Sequence, residues 1–176
     1  DIDLPGIPFP PARAPVEGIL AVPEIPADQV VAHVFTSGST GAALVHRKTW
    51  GSLVINALSE SERLGARGCT LVGTVPPQHM YGFESTVLIC LHGGAACWSG
   101  RPFYPADISA ALDAVPAPRA LVTTPFHLRT LLEAGLRLPP VDFLLSATAP
   151  LSEELAARAE AACGAPLLEI YGCTET

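Results

Sequence analysis

The sequence predicts an α/β fold in which a largely parallel sheet is flanked by helices. Short runs of apolar and β-branched residues recur along the chain, and between them apolar residues recur at helical spacing over about three turns. Glycines mark the ends of the predicted helices, as at Gly135 and Gly164. Strands that alternate with helices in this way are typical of βαβ units, whose strands are parallel.

Length and composition are those of one globular domain. The chain has 176 residues, 49% hydrophobic and 15% charged, which suffices for a buried core. Its net charge of −7, without a run of basic residues, argues against nucleic acid as a partner. The longest apolar run, 87–91, is too short to span a bilayer. Five cysteines without a C-x-x-C pair predict reduced thiols in a cytoplasmic protein.

The first half of the chain contains the following predicted elements. Residues 1–28 form a proline-rich lead-in that we expect to be extended. The β-branched run 29–35 predicts a strand that leads into the loop "TSGSTG". Helical spacing of apolar residues predicts a helix over 50–64, and "CTLVGTV" predicts a buried strand. The loop "PPQHMYG" precedes a predicted helix over 83–91, and "AACW" predicts a short strand.

The second half continues the alternation. "PADISAALDAV" begins with a proline suited to a first helical turn. "RALVTT" predicts a strand, "PFHLRTLLEAG" a helix that stops at Gly135, and "VDFLLSA" a strand. "LSEELAARAEAACG" predicts a helix with Ser152 as N-cap and Gly164 at its end, and "APLLEIYG" predicts the last strand. Because the chain lacks an initial Met and stops at "YGCTET", we expect a piece of a longer protein.

Three loops of polar or small residues follow predicted strands. They are "TSGSTG" after Phe35, "SATAP" after Leu145 and "YGCTET" after Ile170. Ligands of α/β sheets bind at the carboxyl ends of the strands. We therefore expect the three loops to converge at one edge of the sheet.

The first loop, residues 36–41, has the composition of an anion site. Its two glycines can adopt positive φ and so expose successive backbone N–H groups, and its four hydroxyl side chains add donors. It departs from the P-loop pattern because Ala42 and Ala43 stand where Lys and Ser/Thr would follow. On composition alone, a plain flexible turn is as well supported as a phosphate site.

The last loop places complementary groups at a strand end. Tyr171 offers an aromatic face for a base, Thr174 a hydroxyl for a phosphate oxygen, and Glu175 a carboxylate for Mg²⁺. Each feature alone is weak, since a glutamate near a chain end is most often solvated.

In this order, "TSGSTG", "SATAPLS" and "YGCTET" resemble three signature motifs of the AMP-forming adenylate-forming superfamily. The superfamily includes acyl-CoA synthetases, adenylation domains of peptide synthetases and firefly luciferase. "PPQHMYG" is similar to a further motif between the first two. The resemblance implies part of the large N-terminal domain of such an enzyme. Residues 29–176 would form a partial AMP-binding (adenylation) domain without its C-terminal portion or the small mobile domain.

The resemblance implies a ligase that acts in two steps. A fatty or aryl carboxylic acid is activated by ATP to an acyl-adenylate, and the acyl group then passes to the thiol of CoA or of carrier-protein phosphopantetheine. Because the first step brings an anion to a polyanion, positioning and charge neutralisation must supply the catalysis. The implied cofactors are ATP and Mg²⁺, and an acyl carrier protein is a candidate partner. The 176 residues alone are expected to show little or no adenylation.

The resemblance also implies roles for individual residues. His79 would stand near the carboxylate and gate the acyl pocket, although a surface histidine without a role is the alternative. Thr174 would contact the α-phosphate, and Glu175 would bind Mg²⁺. The nucleotide base would be bound by Ala147, Thr148, Ala149, Pro150, Tyr171 and Gly172. The β- and γ-phosphates would be held by Thr36, Ser37, Gly38, Ser39, Thr40 and Gly41.

One departure from the superfamily pattern concerns the cation of the phosphate loop. The usual Pro-Lys-Gly is replaced here by residues 43–45, Ala-Leu-Val. Lys48 is the only lysine in the chain, and nine arginines supply the other basic residues. The hypothesis is that Lys48 replaces the missing catalytic cation from the start of the following helix, with Arg47 as a weaker candidate. An exposed lysine without a role is the alternative.

Rival functions stay open at this point. The lost Pro-Lys-Gly supports a non-catalytic nucleotide- or acyl-binding module with a degenerate phosphate loop. A P-loop kinase or NTPase is disfavoured by the absent Gly-Lys-Ser/Thr. His127 and Phe126 follow a predicted strand and could wall the acyl pocket.

Overall fold

The computed structural model describes residues 23–37 and 43–172. Its strands are β1 (Val30–Ser37), β2 (Ala43–Thr49), β3 (Thr70–Gly73), β4 (Ala96–Cys97), β5 (Arg119–Thr123), β6 (Phe143–Ser146) and β7 (Leu167–Glu169). Its helices are α1 (Trp50–Leu64), α2 (Met80–Gly82), α3 (Ile89–Gly93), α4 (Pro105–Ala114), α5 (Pro125–Glu133) and α6 (Glu153–Cys163). A π-helical segment, Phe83–Leu88, joins α2 to α3 without a break.

Five strands form a parallel sheet in the order β4-β3-β5-β6-β7, which confirms the predicted fold class. Strand β5 lies at the centre, with Leu121 opposite Val72 of β3 and Leu144 of β6. Each pair of neighbouring strands is joined through a helix, as parallel pairing requires. The central strands are buried on both faces, which explains their continuous apolar runs.

The side chains of β5 and β6 alternate between two apolar clusters, one on each face of the sheet. Leu121 and Leu144 pack with α4, α5 and α6 on one face. Val122 and Leu145 pack on the other face with residues of α2 and α3, such as Tyr81. The period-two alternation of a strand thus divides the core into two layers.

Helix ends follow the predicted signals. Ser152 caps α6 by accepting a hydrogen bond from the backbone N–H of Leu155 at 3.3 Å. Gly164 ends the same helix in the left-handed conformation at φ 65°. Gly135, predicted as the stop of α5, also has positive φ, two residues beyond Glu133. Within the described ranges, no helix is long and apolar enough to cross a membrane.

The first strand does not join the parallel sheet, and this corrects the sequence prediction. β1 pairs in antiparallel fashion with β2, from Ser37 opposite Ala43 to Val30 opposite Thr49. Strand β2 was not predicted, because its run "ALVHRKT" was treated as the continuation of the phosphate loop. The described parts of the chain on either side of residues 38–42 are therefore two paired strands of a β-hairpin. Most of the first loop, residues 38–41, lies outside the described residues, so its predicted convergence with the other two loops stays a prediction.

The base of the hairpin is anchored on α1. The N–H of Trp50 donates to the carbonyl of Gln29 at 2.8 Å, and the N–H of Gly51 donates to Ala27 at 2.8 Å. Val34 packs against a small cluster that includes Leu53 of α1. Burial of this face positions the hairpin beside the first turn of α2.

Candidate active site

A cavity of about 540 Å³ lies at the carboxyl ends of β6 and β7, where the second and third predicted loops meet. We call it the edge cavity. Five predicted site residues from three separate segments line it: His79, Ala147, Thr148, Tyr171 and Gly172. Its other lining residues come from α1, α2, the π-helical segment and the end of β7, and they are Asn56, Ser59, Glu60, Arg63, Met80, Tyr81, Glu84, Ser85, Glu169 and Ile170.

The loop after β6 presents only part of the predicted base-binding segment to this cavity. Ala147 is buried, whereas Thr148 is exposed and has φ 81°. Positive φ is costly for a β-branched residue and is found where the surrounding structure imposes it. Ala149 and Pro150 are exposed and do not belong to the cavity lining.

Tyr171 is fully exposed at the mouth of the edge cavity, with Gly172 next to it. An uncovered ring at this position has both faces available for stacking. Thr174 and Glu175, the predicted partners of the α-phosphate and Mg²⁺, lie outside the described residues, as do Gly38, Ser39, Thr40 and Gly41. Within 23–37 and 43–172 no group of three or more His, Cys, Asp or Glu residues could hold a metal ion.

His79 occupies the N-cap position of α2. Its Nδ1 accepts a hydrogen bond from the backbone N–H of Tyr81 at 3.2 Å. Because Nδ1 is the acceptor, the neutral ring carries its proton on Nε2. The same residue lines a second space of about 390 Å³ together with Phe35 of the hairpin. His79 therefore stands between the hairpin and the edge cavity, with its ring orientation fixed by the cap.

Tyr81 forms the inner wall of the edge cavity and was not singled out from the sequence. Its single O–H is shared between the carbonyl oxygens of Leu145 at 2.9 Å and Thr123 at 3.1 Å. The side chain is only 7% exposed, and burial raises the pKa of the phenol far above its ordinary value. It stays protonated and ties α2 to the ends of β5 and β6. The sequence feature that could have identified Tyr81 as a site residue is its position between His79 and Gly82 in the motif "PPQHMYG".

Two glutamates in the cavity wall were also missed. Glu60 of α1 accepts a hydrogen bond from the Ser85 hydroxyl at 2.6 Å, and burial raises the pKa of its carboxyl group. Burial also raises the pKa of Glu84, while the charge of Lys48 and a hydrogen bond with Asn56 oppose that rise. Exposed helical glutamates are the usual case, so sequence alone does not mark these two as site residues.

Lys48 lies in β2, which corrects its predicted position at the start of a helix. Thr49 follows it as the N-cap of α1 with extended backbone angles. Lys48 pairs with Ala32, and at about 3.3 Å per residue it stands about 13 Å along the strand from Leu44, where the usual lysine is expected. Its charge acts on Glu84 of the edge cavity. Arg47 is exposed on the opposite face of β2.

The described part of the phosphate loop has a partner that the sequence did not suggest. Thr36 Oγ1 lies 3.0 Å from Nε2 of His46, across the two strands of the hairpin. Thr36 thus has its hydroxyl engaged by a titratable ring on the face that also carries Lys48.

Comparison with known proteins identifies the family. Residues 8–176 match the family model described as "AMP-binding enzyme". The chain belongs to the AMP-binding enzyme family. It is similar to the 4-coumarate--CoA ligase of Rhodobacter capsulatus, with 33% identity over 144 residues that cover 80% of this chain and 36% of the relative. The resemblance inferred from the motifs is thereby confirmed.

Solved structures share the fold of this AMP-binding family member. Apo MatB from Rhodopseudomonas palustris superimposes with a TM-score of 0.77 at 21% identity, over 90% of this chain and 32% of that protein. O-succinylbenzoate Coenzyme A Synthetase (MenE) from Bacillus subtilis, in complex with AMP, gives a TM-score of 0.74 at 22% identity, over 86% and 31%. The chain therefore spans about a third of the length of the proteins that it matches.

Proposed function

We propose that this chain is part of an enzyme that uses ATP to convert a carboxylic acid into an acyl-adenylate and then passes the acyl group to the thiol of CoA. The observation that carries the proposal is the edge cavity, where His79 meets the loop after β6 and Tyr171. Family membership supports adenylate chemistry. The name of the similar 4-coumarate--CoA ligase supports CoA as acceptor and an aryl acid as one substrate class.

Within this proposal the cavity residues bind the nucleotide and orient the acid. Tyr171 stacks on adenine with its exposed face, while Ala147 and Thr148 border the base. His79 directs its Nε2–H towards the carboxylate, because Nδ1 is held by the α2 cap. Both reactants are anionic and repel each other. The site therefore accelerates the reaction mainly by orienting the acid against the α-phosphate.

The phosphates and the metal are assigned to segments that lie wholly or partly outside the described residues. Residues 36–41 hold the β- and γ-phosphates, and Thr174 contacts the α-phosphate. Glu175 is the proposed Mg²⁺ ligand, and a carboxylate oxygen suits that ion. Bound Mg²⁺ would neutralise phosphate charge.

The acid is proposed to be a fatty or aryl monocarboxylate. Glu60 and Glu84 line the same cavity, and burial raises the pKa of both carboxyl groups, which supports a site where a further buried carboxylate is disfavoured. A second carboxylate on the substrate would meet the same penalty. The acceptor is CoA or a carrier-protein phosphopantetheine, and a cytoplasmic location is part of the same proposal.

The test is ATP–pyrophosphate exchange with the full-length protein. The acids are 4-coumarate, benzoate, hexanoate, palmitate and, as a dicarboxylate, succinate, and thioester formation is followed after addition of CoA. One base–aromatic stack contributes about 1–3 kcal/mol. Tyr171→Ala is therefore expected to raise the KM for ATP by a factor of about 5 to 150. His79→Ala is expected to lower kcat, while His33→Ala, on an exposed residue of β1, leaves both constants unchanged.

The rival function has a distinct signature in this assay. A non-catalytic binding module would bind ATP without any acid-dependent exchange, and that outcome would refute the proposal.

The role of Lys48 is tested by Lys48→Ala and Lys48→Arg, with Arg47→Ala as the matched cation on the opposite face of the strand. If both Lys48 variants retain wild-type adenylation kinetics, Lys48 is not the replacement cation. Acyl-adenylate formation by the isolated 176 residues would contradict the expected inactivity of the short chain.

A further inference from the structure

A further cavity of about 410 Å³, distinct from the two spaces lined by His79, lies beside the carboxyl ends of β3 and β4. We call it the β3–β4 cavity. Its walls are formed by the loop after β3, by the segment 98–103 after β4, and by His127 at the start of α5. Most of its lining is apolar, with Val75, Trp98 and Phe103 as examples. The lining residues of the two cavities do not overlap, so this space is separate from the edge cavity.

One ring nitrogen in the wall of the β3–β4 cavity is buried without a partner. His127 is 8% exposed, and its Nε2 makes no hydrogen bond within residues 23–37 and 43–172. The other ring nitrogen is engaged, since Nδ1 lies 3.0 Å from Thr124 Oγ1 and 3.3 Å from Thr74 Oγ1. The described part of the chain therefore leaves one buried polar atom of this histidine unsatisfied.

The hydrogen-bond network around Nδ1 is compatible with a ring proton on Nε2. Thr124 Oγ1 accepts from the backbone N–H of His127 at 3.4 Å, so its own hydrogen is free to be donated to Nδ1. Burial lowers the pKa of His127, which keeps the ring neutral. With Nδ1 accepting from Thr124, the single ring proton resides on Nε2. The cavity wall thus presents an N–H donor that requires an acceptor, and leaving a buried donor unpaired is costly.

A second histidine with a buried, unpartnered ring nitrogen lies outside this cavity. The Nε2 of His92 also makes no hydrogen bond with the described part of the chain. Its ring packs edge-on against Trp50 at 5.0 Å between centroids, as the ring of His127 packs edge-on against Phe103 at 5.1 Å and Phe126 at 5.4 Å, but His92 does not line the β3–β4 cavity. His92 therefore serves as a matched comparison for His127.

We propose that the β3–β4 cavity is a second small-molecule site, which takes an apolar monocarboxylate. The carboxylate accepts the hydrogen bond of His127 Nε2–H, and the guanidinium of Arg101 in the same wall balances its charge. The apolar body of the ligand packs against Trp98 and Phe103, whose rings are partly exposed at the cavity. Few polar groups in an otherwise apolar pocket are the usual design of a small-molecule site.

The experiment uses the full-length protein with 2-naphthoate as probe and 2-methylnaphthalene as the isosteric compound without oxygen. Long-range ¹H–¹⁵N spectra of histidine-labelled protein report on Nε2 of His127, and titration calorimetry gives the Kd. Addition of 2-naphthoate is expected to shift the His127 Nε2 signal. Loss of one hydrogen bond to a charged group predicts a Kd about tenfold higher in His127→Phe. His127→Gln, which keeps a side-chain N–H donor, is expected to recover part of the affinity, and His92→Phe to leave the Kd unchanged.

Several outcomes would overturn the proposal, and they separate its parts. An Nε2 signal of His127 that does not move in wild-type protein excludes the site, even if a variant fails to fold. Equal binding of 2-naphthoate and 2-methylnaphthalene would exclude recognition of the carboxylate. An Nε2–H already hydrogen-bonded in ligand-free full-length protein would show that another segment of the chain fills the cavity. An unchanged Kd in His127→Phe would place the probe elsewhere, for example in the edge cavity.

Discussion

Replacement of Tyr81 by phenylalanine tests whether one hydroxyl group holds the inner wall of the edge cavity together. In the structure this hydroxyl donates to two carbonyl oxygens, one at the end of β5 and one at the end of β6. The side chain is almost fully buried, so water has little access to replace the lost donor. Tyr81→Phe removes one oxygen atom and leaves the ring in place.

The expected cost follows from the two contacts. Removal of the one shared hydrogen leaves buried carbonyl acceptors unsatisfied, which costs about 1–3 kcal/mol. The variant should therefore be destabilised by about 2 kcal/mol. With a urea m-value of about 2 kcal/mol/M, the unfolding midpoint should fall by about 1 M.

Urea unfolding of the full-length protein, followed by circular dichroism, measures the midpoint. Amide hydrogen exchange at Leu145 and Ser146 reports whether the end of β6 opens locally. Tyr104→Phe is the matched control, because Tyr104 is exposed and its hydroxyl makes no hydrogen bond that the described structure shows. A shift in Tyr81→Phe no larger than that of the control, with unchanged exchange at β6, would refute the bridging role.

Three further predictions concern other parts of the wall and core. Gly82→Ala should destabilise the protein by about 2 kcal/mol, because a Cβ there would overlap the backbone of Pro76, whose carbonyl carbon would lie at 2.9 Å; Gly172→Ala, which has open space, should leave the urea midpoint unchanged. Burial raises the pKa of Glu60 in the folded state above its ordinary 4.5, so its ionisation removes stability as the pH rises above 4.5. The free energy of unfolding of Glu60→Gln should therefore exceed that of the wild type at pH 7, and the two values should converge near pH 4.5. Equal unfolding free energies at pH 7 would contradict this. Among the cysteines that the structure describes, Cys97 is exposed, whereas burial raises the pKa of Cys69 to about 11 and of Cys90 to about 12. Iodoacetamide at pH 8 should label Cys97 before Cys69 and Cys90, and peptide mass spectrometry that finds Cys69 labelled earlier would reject the burial argument.

Sequence patterns alone determined most of the parallel sheet and its helices. The predicted helix over 50–64 agrees with α1 at both ends, and Ser152 and Gly164 delimit α6 as expected. These elements are predictable because caps, turn residues and apolar periodicity act over a few neighbouring residues. Family membership was predictable for a related reason, since the signature loops are continuous short segments whose order along the chain can be read directly.

Tertiary structure decided the features that depend on residues far apart in the chain. The antiparallel pairing of β1 with β2 depends on cross-strand contacts and on burial of Val34 against α1, so "ALVHRKT" gave no local signal of its partner. Tyr81 and Thr123, 42 residues apart, meet only once the sheet and α2 are packed. The same holds for His127 and Thr74, whose contact spans 53 residues. Hydrogen bonds between distant segments are set by packing, and no periodicity or motif within either segment specifies them.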